Sequence, residues 1–583
     1  MKKCISIVFF IFWANVIISQ TPDSAVIICP SQSTSNDIFP VVVRLYKNGA
    51  LNYAGHSYSL AVTNATAESS MIVVKKGVGS LCTKINTSAD FQVEVQGFST
   101  IKNVNHTIND PIEISGYINS DYQCIANTLY YVSSDLTIQA SQTLTIYEGA
   151  QLIVAENANI ICHGKIICDA NTENPIVFKS DSENIFWGGI TITSAQDTSV
   201  FEHVFFIKGG GNTNFIFGHS GSQPVLKADN GNMICRDCYF IDNTGKALGG
   251  NYANISLKQC LISRCDTGGE FFMSKVDIDS CYVMNIPDDD GIIEDDDNDC
   301  FYFNNVHSSN SESKVSNSFF ITGEDDAIDH NGAKLSLENC WIQDFYHEGI
   351  AGSNGNYVSL HNSVVVDCGQ GIEAGYGSPH VMANHCVFAH NGVGARFGDD
   401  YVQPSEGKMI IKNSIFFDNT DNLLNWEPQT GGPVTDSLEV MYSITNDIDF
   451  DGQNSCIAGT PQFSQAYLLE IGSPGSGAAD DGLDMGLISS LTMIGQIMQH
   501  TSVQLYPNPV NTVAVFDFDA PYPEFGDLSI LNMEGKILLN RTIHFDTGIN
   551  KIEQNVSFLK PGLYQLVVVT PTKVFSSKFL KLD

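Results

Sequence analysis

Carboxylates are the first residues in this sequence whose spacing suggests chemistry. The run DDDGIIEDDDNDC, residues 288–300, sets Asp295, Asp297 and Asp299 at alternate positions, as loop carboxylates are set where they surround calcium with oxygen donors. A helix-loop-helix calcium loop is excluded: it needs Gly at its sixth place and Glu at its twelfth, where Val306 stands here. Asp295, Asp297 and Asp299 are therefore the metal candidates, with Asp325 and Asp326 as further donors, and calcium is the one cofactor suggested. A solvated acidic loop accounts for the same run. In GEDDAIDHNG, residues 323–332, Asp325 and Asp326 are adjacent, and a pair of carboxyls, one acid and one base, is what cleavage of a glycosidic bond requires. Proton abstraction beside a calcium-bound uronate would instead need a base such as Arg264, Lys275, Lys314 or Arg396. Each of these is equally explained as a solvated outer residue. His330, His347, His361, His380, His385 and His390 follow no metal-ligand spacing. Trp341, Tyr346 and Tyr376 offer rings on which a sugar could stack.

These residues lie within or between copies of a repeat that runs from Met233 to Asn419. Its reference column is Asp237, Gln259, Ser280, Asn317, Asn339, Asn362, His385 and Asn413. The next residue is always Cys or Ser, and the one two further on is large and apolar, from Phe240 to Phe416. Two before the column the chain is apolar again, from Cys235 to Ile411. Alternation of period two on both sides describes strand, tight corner, strand. Units recur after 22, 21, 37, 22, 23, 23 and 28 residues, a period that suits one rung of a parallel β-helix, whose strands bury their inner faces only by stacking on neighbours. With rungs about 4.8 Å apart, corner amides can hydrogen-bond along the stack, which explains Asn at four of the eight corners. On this pattern Asp325 to Ile328 is also a corner followed by an inward Ile, as Gly349-Ile350 and Gly371-Ile372 are elsewhere, and that plainer account takes precedence.

The chain has 583 residues, 43% of them hydrophobic, with a formal balance of −36. Such a charge repels nucleic acid and anionic lipid, so phosphate-backbone partners are excluded. Lys2 and Lys3, the apolar stretch Ile5 to Ile18 and Ser19 have the form of a secretory signal, too short to span a bilayer. No other apolar run approaches a membrane span. Of sixteen cysteines, fifteen would remain after cleavage, and five of these occupy the small column, where Ser replaces Cys freely. That exchange favours buried free thiols used as small hydrophobes over disulfides or a zinc site.

Residues 20–108 have the alternation and the Asn48-Gly49 hairpin signal of an immunoglobulin-like β-sandwich, suited to be a spacer or a cap on the first rung. From there GKIICDANTENPIVFKS, WGGITI, LSLENCWI and VSLHNSVVVDCGQGI resemble secreted right-handed parallel β-helix repeat proteins of the pectate-lyase-like superfamily, and SPGSGAADDGLDMG, residues 473–486, is similar to their terminal motif. The resemblance implies the fold over 109–487 and leaves activity open, since the superfamily includes lyases, hydrolases, adhesins and binding proteins. Asp325-Asp326 is similar to the paired aspartates of its glycoside hydrolases, although the third aspartate and the His-containing motif of that group are not evident in the sequence. After a linker at 488–500, the segments VQLYPNPVNTVAVFDF, LSILNMEGKILL, LKPGLYQLVVV and VFSSKFLKLD resemble the C-terminal sorting domain of type IX secretion substrates, over 501–583. That implies handling by the type IX machinery and a secreted or outer-surface destination. The expectation is thus an all-β exported protein: a sandwich, a right-handed parallel β-helix and a sorting sandwich, binding polysaccharide or another surface. A polysaccharide-degrading enzyme, a calcium-assisted uronate lyase or a glycoside hydrolase, is the alternative.

Overall fold

The computed structural model describes residues 21–582 except 48–49, 53–54, 108, 195, 288–297, 399–403, 428–430, 448, 464–466, 489–500, 503, 521–523, 533–536, 546–547 and 570–573. The expected signal segment, the Asn48-Gly49 turn and most of the expected linker thus lie outside the described residues. Among those described, the one helical element is the short 3-10 turn Thr213–Phe215, and no helix is long and apolar enough to cross a membrane.

The repeat folds as a parallel β-helix. Each rung gives one strand to a 13-stranded sheet and two to a 24-stranded sheet: Lys275–Asp279 joins the first, and Tyr282–Met284 and Phe301–Asn304 join the second. The apolar column Cys235, Leu257, Ile278, Val315, Leu337, Leu360, Ala383 and Ile411 stands in direct register and is buried throughout. After the corner, Phe206 stacks on Phe240 at 4.7 Å and Phe388 on Phe416 at 5.2 Å. Register and core are the same fact, because a slip of one residue would turn every inward side chain outward.

All eight corner residues have φ between 43° and 73°. This left-handed conformation is costly for most side chains and tolerated best by Asn and Asp, so the corner selects amides for its backbone as well as for its ladder. The ladder is present: Asn339 Nδ2 donates to Asn317 Oδ1 (3.1 Å) and Asn362 Nδ2 to Asn339 Oδ1 (2.7 Å). It ends where His385 turns instead to Gly486 O (3.1 Å) and Asp481 Oδ2 (3.0 Å). Residues 473–488 thus fasten to the late corners, with Ile488 N donating to Asn362 Oδ1 and Asn413 Nδ2 to Asp480 Oδ1. The neighbouring small column, including Cys238, Cys260, Cys281, Cys340 and Cys386, is buried, and these thiols are free. Burial pushes the Cys340 and Cys386 thiols up to about 12, which keeps them protonated and unreactive.

The N-terminal sandwich has two layers that share the strand His56–Thr63, which pairs with Met71–Lys75 through its first half and with Phe91–Val95 through its second. Phe39 and Phe91 meet in its core with ring centroids 5.6 Å apart. It was expected to be a spacer or to cap the first rung, but it lies along the flank of the β-helix. Gln32 Nε2 donates to Gly149 O, Lys179 Nζ to Asp37 Oδ1 and Gln151 Oε1, and Lys75 Nζ to Thr322 Oγ1. The Lys76 ammonium sits 3.6 Å from the Trp341 ring centroid, and burial lowers it to about 8. The C-terminal residues form a separate unit of a five- and a three-stranded sheet, with Phe516, Leu528, Ile530, Leu566 and Phe579 in its core.

Candidate functional site

Each rung enters the strand typified by Ile328–Asn331 through a corner, and two outward columns flank that entry. Backbone bonds link Lys246, Thr267, Asp299, Asp326 and Glu348 in succession, and Gln370 continues the column. The second column runs through Lys227, Gly249, Glu270, Tyr302, Asp329, Ala351, Glu373 and Arg396. Inward Ile328, Ile350 and Ile372 lie between them in one register. The corner account of Asp325 to Ile328 is thereby correct for the backbone. It does not explain why the outward position holds a carboxylate or amide on four successive rungs.

The geometry is tightest at Asp325, Asp326 and His347, whose donor atoms all lie within 4.8 Å of one another. Gly323 makes room for this corner, since a Cβ there would stand 2.4 Å from the Phe345 ring. His347 Nδ1 is 2.6 Å from Asp325 Oδ1, and that bond raises the imidazole above its ordinary value. Asp326 accepts from Glu348 N at 2.7 Å. Its carboxyl is held well above the usual range, first by burial and then by Glu348, Asp325 and Asp299. The two adjacent aspartates therefore occupy different environments, one enclosed and proton-retaining, the other partly open and bonded to an imidazole. Glu348 in turn accepts from Gln370 Nε2, which also reaches Glu373 Oε2 at 2.9 Å. Beside these columns Asn354 Nδ2 donates to Asn331 Oδ1 (2.8 Å), and Asn331 Nδ2 to Tyr302 Oη (2.9 Å), a polar row able to meet sugar hydroxyls.

Of the calcium candidates, Asp295 and Asp297 lie outside the described residues. Asp299 is buried in the first column, with Oδ2 3.7 Å from His219 Nε2. Of the candidate bases, Arg264 pairs with Asp242 and reaches Ser80 of the sandwich, Lys275 pairs with Asp277, and Lys314 with Glu312. Arg396 lies in the second column, 3.9 Å from Glu373. His330 points inward to Ala333 O and is lowered to about 4 by burial. His361 and His385 belong to the corner side, His380 is exposed, and His390 meets Asp418. Trp341 is buried beneath Lys76 and offers no stacking face, while Tyr346 is exposed and Tyr376 joins the amide row. Sequence reasoning missed Lys246, which is fully enclosed and paired with Glu270, and missed His219. It joined Asp299 to Asp325 and Asp326 as cation donors but left His347, which bonds to Asp325 from the next rung, unconnected to them. A comparison of residues one rung apart would have found His347.

No curated protein matches the chain. Among solved structures, the periplasmic alginate epimerase AlgG is 10% identical, covering 57% of this chain and 78% of that one with a TM-score of 0.39. The enzymatically active domain of bacteriophage CBA120 tailspike protein 2 is 8% identical over 94% and 84%, with a TM-score of 0.19. Residues 504–581 match the family described as secretion system C-terminal sorting domain. The chain is therefore an exported parallel β-helix protein whose C-terminal sandwich belongs to the type IX secretion sorting domains.

Proposed function

We propose that the protein is a glycoside hydrolase that acts on extracellular polysaccharide along the acidic face of its β-helix. The observation that carries this is the convergence of Asp325, Asp326 and His347 from successive rungs within 4.8 Å. Glycosidic cleavage needs a carboxyl that still holds a proton and a second that has lost its own. Asp326, whose proton is retained by burial and neighbouring carboxylates, serves as the acid that protonates the departing glycosidic oxygen. Asp325, bonded to the His347 imidazole, is the second carboxyl and takes the proton of the attacking water. The surrounding carboxylates favour the positive charge that develops on the sugar ring in the transition state. The Asn331, Asn354 and Tyr302 row supplies hydrogen bonds for neighbouring sugar units. Elimination from a uronate is less well supported, because Arg396 stands against Glu373 and Lys246 against Glu270, and the face would repel a polyanion.

The test mixes the full chain with neutral and acidic polysaccharides and follows reducing ends, ultraviolet absorbance of unsaturated sugars, and co-sedimentation. New reducing ends without unsaturated product, lost in Asp326→Asn, are expected. Unsaturated product would replace this reading with a lyase. Retention on a polymer without any product would leave a binding protein, the reading that the amide and tyrosine row favours by itself.

A further inference from the structure

His219 has no part in the chemistry above, yet the fold goes to some length to place it. It follows the short turn Thr213–Phe215 on a segment held against the second column. Glu270 accepts from the backbone N–H of His219 (2.8 Å) and of Ser220 (3.2 Å). Lys246 Nζ donates to Glu270 and to Ser220 Oγ (2.7 Å), and Ser222 Oγ donates to Asp266. The imidazole so anchored packs edge-on against Tyr302 with centroids 4.0 Å apart. Its Nε2 lies 3.7 Å from Asp299 Oδ2, and one donor atom each of His219, Asp299 and Asp329 falls within 4.8 Å of the others. These three residues come from separate rungs and a crossing segment, so chain proximity does not explain their meeting.

An independent sign lies next to them. Thr267 immediately precedes Asp299 in the first outward column. It is fully enclosed, and its hydroxyl has no hydrogen-bond partner among the described residues. A bound ion with its water is one way such an enclosed polar atom is satisfied in a native fold.

We propose that His219, Asp299 and Asp329 bind a divalent transition ion of the zinc class. One imidazole nitrogen and two carboxylate oxygens are ordinary zinc donors, at about 2.0–2.2 Å from the metal, which in a tetrahedral site sets neighbouring donors about 3.3 Å apart. The 3.7 Å between His219 and Asp299 is close to that spacing. Calcium and magnesium take oxygen donors and gain little from an imidazole. Three protein donors leave a coordination position for water or a substrate oxygen, and the ion would offset the charge of two neighbouring carboxylates.

The site is independent of the hydrolytic reading, and its test reads metal rather than activity. The full chain, dialysed against a chelator, is titrated calorimetrically with zinc alone, and separately with manganese and calcium. One equivalent of zinc should bind, more tightly than calcium, and His219→Ala and Asp329→Asn should each weaken it at least tenfold with circular dichroism unchanged. Zinc uptake by the native chain is read whether or not any polysaccharide is cleaved, which separates failure of this site from failure of the hydrolase. A folded native chain that takes up no zinc, or variants that bind it undiminished, would overturn the proposal. So would calcium binding tighter than zinc and indifferent to His219→Ala, which would place the cation on carboxylates alone.

Discussion

A carboxyl enclosed beside other carboxylates holds its proton because ionising it would add a charge where water cannot screen it. At Asp326 this has two consequences with opposite signs for activity and stability. The folded chain keeps a proton that the unfolded chain loses near pH 4, so the folded state binds more protons. The contribution to stability therefore falls as pH rises from that range toward the raised folded value. Asp326→Asn keeps the acceptor for Glu348 N and removes the titration. It should raise the melting temperature at pH 7 and leave it nearly unchanged at pH 4, as thermal scans in the presence of chelator would show. The same substitution should lower kcat by about 10²-fold or more, the usual contribution of a general acid. On the hydrolytic proposal the rate of the native chain should decline as pH rises through the raised Asp326 value, so a pH profile without an alkaline limb would count against Asp326 as the acid. Little of this was visible in the residues taken singly. Asp325 and Asp326 stood out as a pair, but their difference in environment depends on Glu348 and Asp299, which lie on other rungs.

At the scale of elements, the corner combines two requirements that mutation can separate. Asn339 has φ 55° and bonds both to Asn317 and to Asn362. Asn339→Ala removes the ladder bonds and strains the backbone, whereas Asn339→Gly removes only the bonds. Ala should therefore cost about 1–2 kcal/mol more than Gly, the penalty of a left-handed alanine, measured as the difference in denaturant midpoint. The ladder itself was legible in the sequence because a period near 22 residues brings like residues to like places. The left-handed backbone beneath it was not foreseen, although Asn, Asp and His at the corner are the residue types enriched in that conformation. The docking of the sandwich shows a different limit. Lys179 meets Asp37 with both side chains almost fully enclosed. Lys179→Met should destabilise the chain by about 3–5 kcal/mol by leaving a buried carboxylate unpaired, while Lys179→Met with Asp37→Leu should recover most of that loss. Calorimetric unfolding of the two variants would distinguish a pair that stabilises from one that only forbids its own half-removal.

For the whole molecule, a net charge of −36 and a sorting sandwich with its own core fit a chain that must stay soluble while it is carried outward. Deleting residues 501–583 should leave the protein in the periplasm, whereas the full chain should appear at the surface or in the medium; fractionation and immunoblotting measure this. The solenoid, its core columns, its amide ladder and its export tail were all legible along the chain. Each is written in local periodicity or in a contiguous motif, and neighbouring strands about 4.8 Å apart convert that periodicity directly into contacts. The flank against which the sandwich lies, the bond of His347 to Asp325 and the meeting of His219 with Asp299 and Asp329 arise from the folded chain alone. His347 stands one rung from Asp325, whereas His219 reaches Asp299 and Asp329 on a crossing segment held by Glu270 and Lys246, a placement that the repeat spacing does not encode.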